Sequence, residues 1–85
     1  YIIDSIGWAY YLIDDFIKAE EFLKRAVTLM PDDPIVNDHY GDILWKLDRK
    51  IQARYFWLMV LEMENVEKDL INQINNKLII GPEKS

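Results

Sequence analysis

Apolar residues recur at helical spacing in five stretches of the chain, and turn-forming residues close each stretch. Ile6, Tyr10 and Ile13, with Ala9 beside them, predict a helix over about 2–13. Asp14-Asp15 makes the turn, since Asp tolerates a left-handed backbone. Phe16, Ala19, Phe22, Leu23, Ala26, Val27 and Met30 predict a second helix over about 16–29. Met30-Pro31 ends it, because the residue before a proline avoids the helical region. Asp33 as N-cap and Pro34 in the first helical position open a third helix, about 34–47. Asp48-Arg49 turns the chain into a fourth, about 50–63, whose inner stripe is Ala53, Phe56, Trp57, Val60 and Leu61. Asn65 is the expected cap of a fifth, about 66–79. Val66, Leu70, Ile71, Ile74 and Leu78 form its apolar side, with Asn72, Gln73, Asn75 and Asn76 opposite. Gly81-Pro82 stops it, and residues 81–85 are expected to fray.

The first two helices are copied by the next two. One and the same interval separates Gly7 from Gly41, Ala19 from Ala53, Asp4 from Asp38, Asp14 from Asp48, and Phe22 from Phe56. Gly7 costs about 1 kcal/mol of helix propensity relative to Ala. It is explained if a partner helix approaches closely there, with the small Ala19 and Ala26 as the matching surface. A 34-residue period of two helices and a turn resembles the tetratricopeptide family. The first copy carries the family pattern at Ile6-Gly7, Tyr10, Ala19, Leu23, Ala26 and Pro31, with Ile3 where an aromatic leads. The second carries it at Gly41, Ala53 and Trp57 and departs at Tyr40, Leu44, Val60 and Asn65. The phrases around Gly7 and Gly41 also resemble repeats near the C-terminal end of bacterial multi-repeat proteins.

The resemblance implies an all-α helical-repeat solenoid. Residues 1–33 and 34–64 would be two tetratricopeptide repeats, and 65–80 a capping helix whose polar outer side closes the array. Trp57 takes the place that Leu23 holds in the first repeat and is expected in the core. Two repeats and a cap fall short of the three repeats such arrays usually need. The N-terminal end is left uncovered, so self-association through that end is expected. The chain begins at Tyr1, without Met, inside a predicted helix, and reads as a piece of a longer protein. The compartment is not legible from it.

Composition narrows the function. Ten basic against fifteen acidic residues give a net charge of −5. That sign opposes phosphate neutralisation, and so nucleic-acid binding and anionic membrane surfaces. No apolar run reaches the roughly 20 residues needed to span a bilayer. Cysteine is absent, which removes disulfides and cysteine-ligated zinc. There is no phosphate-cradling loop and no dinucleotide fingerprint, so no cofactor is expected.

Catalytic chemistry has little to build with. Ser5 and His39, one repeat period apart, invite a triad with Asp38 or Asp42. No glycine-rich elbow or oxyanion loop accompanies them, so the chain is expected to be non-catalytic. Asp38 and Asp42, at i and i+4, repel each other unless a cation lies between them. With His39 and Asp4 they make the alternative of a weak metal site, although tight zinc sites draw on more than one histidine.

The resemblance implies a different surface. In tetratricopeptide arrays the first helix of each pair lines a concave groove that takes extended peptides. The corresponding residues are Asp4, Ser5, Trp8, Tyr11 and Leu12, then Asp38, His39, Asp42, Trp45 and Lys46, then Asn72, Gln73 and Asn76. Trp and Tyr are favoured at binding hot spots, and carboxylates beside them attract cations. The family's clamp for a C-terminal carboxylate uses Lys and Asn; here Asp4, Trp8 and Asp38 stand instead, with the wrong charge. The expected role is a protein-interaction module that binds a basic peptide or protein segment. The alternative is a scaffold segment whose groove serves self-association or an intramolecular contact.

Overall fold

A computed structural model describes residues 2–82. It is all-helical: α1 (Ile2–Leu12), α2 (Phe16–Leu29), α3 (Pro34–Lys46), α4 (Lys50–Leu61) and α5 (Lys68–Ile80). The Cα radius of gyration is 11.6 Å, against about 12 Å for one globular body of this length, so the five helices form a single core. No described helix is long and apolar enough to cross a membrane.

The two hairpins turn by the same chemistry. Asp14 sits at φ 63° and Asp48 at φ 62°. The Asp14 amide donates to the Tyr11 carbonyl at 3.1 Å and the Asp15 amide to Tyr10 at 2.9 Å. One period on, Asp48 donates to Trp45 at 3.0 Å and Arg49 to Leu44 at 2.9 Å. This is the hydrogen-bond pair that closes a helix over a left-handed residue. The loop into α3 is held by Asp33, whose carboxylate accepts from the Ile35 and Val36 amides at 2.9 and 3.0 Å.

Inside each hairpin a glycine lets the helices meet. A Cβ on Gly7 would lie 2.7 Å from Leu23 Cγ, and one on Gly41 would overlap the Trp57 indole. The residues opposite the glycines are therefore Leu23 and Trp57, not the alanines expected from the sequence. Trp57 is fully buried and donates from Nε1 to the Asp38 carbonyl at 3.3 Å.

Three expectations are corrected. The inner face of α1 is Asp4, Gly7 and Tyr11, whereas Ile6, Ala9 and Ile13 are exposed. Aliphatic residues lie on two sides of this helix, and close approach to α2 selects the side bearing the glycine. Asn65 does not cap α5; it is a left-handed residue at φ 59°, and the helix begins at Lys68 with Glu67 in the cap position. Gly81 and Pro82 are buried rather than frayed, with Gly81 against Trp45. Residues 83–85 of the expected tail lie outside the described residues.

Candidate functional site

Residues of α1, α3 and α5 line a cleft of about 360 Å³. Its walls include Trp8, Tyr11 and Leu12 from α1, Asp42 from α3, and Gln73, Asn76 and Lys77 from α5. Helical spacing sets each wall. Trp8, Tyr11 and Leu12 share one side of α1, and Gln73, Asn76 and Lys77 share one side of α5. The volume sits near the lower end of the range for ligand pockets.

Beneath this wall lies a buried charge cluster. Asp38 and Asp42 are 5% and 3% exposed. Lys77 Nζ donates to Asp38 Oδ1 at 2.8 Å and Oδ2 at 3.1 Å, and to Asp42 Oδ2 at 3.1 Å. Asp42 Oδ1 lies 3.0 Å from the same ammonium, an ion-pair distance, yet accepts no hydrogen bond. Two carboxylates thus share one ammonium. Burial, and then the charge of Asp38, push the Asp42 carboxyl up to about 7, against the opposing pull of Lys77. Burial disfavours the Lys77 ammonium, but Asp42 and Asp38 outweigh that and raise its pKa. The Tyr11 phenol is raised by burial and then by Asp42 and Asp38.

A second cluster adjoins it. His39 Nδ1 lies 2.9 Å from Asp4 Oδ1. The Trp8 ring is stacked on His39 at 4.0 Å and on Tyr11 at 4.5 Å between centroids, within 13° and 8° of parallel. His39 therefore pairs with Asp4 rather than with Ser5, which is exposed.

Of the residues expected along one groove, Trp8, Tyr11, Leu12, Asp42, Gln73 and Asn76 line this cleft. Asp4, Asp38 and His39 form its supporting layer through the pairs just described. Trp45 does not reach it. Its ring packs on Trp57 at 5.6 Å and under Gly81, with Lys50 Nζ 4.9 Å from its centroid. Lys46 does not line it either and lies over the Phe16 ring at 5.9 Å. Ser5 and Asn72 are exposed outside it. The metal alternative loses its geometry. Lys77 stands where a cation would bridge Asp38 and Asp42, and no group of three or more potential ligands assembles among the described residues.

Comparison with known protein families, characterised proteins and solved structures returns no match.

Lys77 is the residue that sequence reasoning missed. It lies one period after Ile43, which is fully buried, so α5 turns it toward α3 instead of outward. The signal was the i,i+4 aspartate pair, which repels itself unless a cation is supplied.

Proposed function

We propose that this chain is a non-catalytic protein-interaction module of the tetratricopeptide kind, which holds a segment of another protein in the cleft between α1, α3 and α5. The repeat reading is supported by the turn hydrogen bonds and the glycine contacts that recur one period apart. The binding reading rests on one observation: Asp38 and Asp42 are buried with a single ammonium between them, and Asp42 forms part of the cleft wall.

The site is short of one positive charge. In the free protein a proton on Asp42 supplies it; in a complex, a cationic side chain of the guest does. The Trp8 and Tyr11 rings give that side chain an apolar wall, and the Gln73 and Asn76 amides suit an extended backbone. A free carboxylate is disfavoured, because the Lys77 ammonium is already engaged by both Asp38 and Asp42.

The test is a titration of short peptides that pair Arg or Lys with apolar neighbours, followed by tryptophan fluorescence. Basic peptides are expected to saturate the signal and acidic peptides of the same length to leave it unchanged. Equal responses to both would remove the charge argument.

A further inference from the structure

The turn into α4 repeats the backbone of the turn into α2 and reverses its charge. Leu12, Asp15, Phe16 and Glu20 of the first hairpin become Lys46, Arg49, Lys50 and Arg54 one period later. Four of the ten basic residues of an acidic chain thus fall in one short stretch. The exchange is locally unfavourable. Asp15 caps α2 by accepting from the Lys18 amide at 3.3 Å, whereas Arg49 takes the cap place of α4 and makes no side-chain cap. Lys50 follows in the first turn, at the end of the helix dipole that disfavours cations.

Two of these cations share one ring. Lys50 Nζ lies 4.9 Å and the Arg54 guanidinium 5.9 Å from the Trp45 centroid. Both residues are exposed, and neither forms an ion pair among the described residues. Like charges four residues apart on a helix repel. An anion is missing here, as a cation is at Asp42. The same ring marks the border of the cleft: Gly81 lines the cleft, and a Cβ on it would lie 2.7 Å from Trp45 Cε2. Lys50 and the rim of the cleft are therefore within roughly 10 Å of each other, the length of about three extended residues.

We propose, building on the cleft reading, that the guest carries an acidic stretch about three residues from its basic residue, and that Lys50 and Arg54 hold that stretch outside the cleft. The occupant is a pair of peptide carboxylates and not a nucleic acid, because the net charge of −5 and the acidic cleft repel a polyanion. An exposed ion pair changes affinity only a few-fold. An acidic segment without the basic anchor therefore stays unbound, and the patch selects among guests that Asp42 already holds.

The experiment is a titration of peptides followed by tryptophan fluorescence. Each has an arginine among apolar residues and a pair of Glu or of Gln about three residues away, on the amino side in one set and the carboxyl side in another. Citrulline replaces the arginine in matched controls. The proteins are the unmodified chain, Lys50→Gln/Arg54→Gln, and Lys24→Gln/Arg25→Gln, an exposed pair on α2 that changes the net charge equally. In one of the two orders, the unmodified chain and the α2 control are expected to bind the Glu peptide about three- to tenfold tighter than the Gln peptide, and less so in high salt. Lys50→Gln/Arg54→Gln is expected to bind the two alike and to keep its preference for arginine over citrulline. An arginine preference with no Glu preference overturns the inference and leaves the cleft reading standing; no arginine preference overturns both. A Glu preference that survives Lys50→Gln/Arg54→Gln overturns the inference too. So does one that emerges only in Glu83→Gln, which gives the patch to the chain's own acid.

Discussion

Lys77 Nζ lies 2.8 Å from Asp38 Oδ1, joining the fifth helix to the third across 39 residues of sequence. The contact is a packing device and a charge device together. It ties α5 onto the preceding hairpin, and it leaves Asp42 with only a share of one ammonium.

Removing that ammonium strands two buried carboxylates. Lys77→Met is expected to destabilise the protein by about 3–5 kcal/mol at pH 8, the usual cost of breaking a buried ion pair from one side. Acidification to pH 5 should restore part of the loss, since Asp42 then takes up a proton. Urea unfolding at the two pH values measures both effects.

Asp42 also makes stability pH-dependent in an unusual direction. Its folded-state pKa of about 7 lies above the ordinary 3.8, so the folded protein binds the proton more tightly than the unfolded chain. The stabilisation it provides is complete below about pH 4, declines as pH rises towards 7 and is gone above that. Asp42→Asn keeps the shape without the charge. The unmodified chain should lose roughly 2–4 kcal/mol more than Asp42→Asn between pH 4 and pH 8. Parallel stability curves for the two proteins would refute the assignment.

Gly41 separates local propensity from packing. Alanine there gains about 1 kcal/mol in helix propensity, yet its Cβ would fall on the Trp57 indole. The overlap also threatens the Trp57 hydrogen bond to the Asp38 carbonyl. Gly41→Ala is therefore expected to lower stability by about 1–3 kcal/mol, as overpacked cores do, with a matching fall in Tm by calorimetry.

The fold is legible where one residue's own chemistry decides the backbone. Asp14 and Asp48 are left-handed turn residues, Asp33 caps α3, and Trp57 lies in the core, each from a signal confined to a few neighbours. The register of α1 is not legible, because that helix is apolar on nearly every side and the choice of inner face belongs to α2. Asn65 misleads for a related reason: its side chain suits a cap and a left-handed turn equally. In the cleft, Trp8, Tyr11 and Asp42 can be named from the sequence. Lys77 is legible only indirectly, from its place one period after Ile43 and from the self-repelling Asp38–Asp42 pair, because a lysine on α5 reads by itself as a solvated residue. Trp45 falls on the other side because Gly81, which reads as a loose end in sequence, holds its ring.

The central claim is that the Asp38–Asp42–Lys77 cluster lacks one positive charge that a guest supplies. It is tested most directly by the affinity of one arginine-containing peptide at pH 6 and pH 8, with its citrulline counterpart, for the unmodified chain and for Asp42→Asn. The cation should compete with the proton on Asp42. Affinity for the arginine peptide is therefore predicted to rise across this interval, with proton uptake by the buffer at pH 6. Both the rise and the preference over citrulline should disappear in Asp42→Asn. Equal affinity for the two peptides, or a pH dependence that persists in Asp42→Asn, would contradict the account.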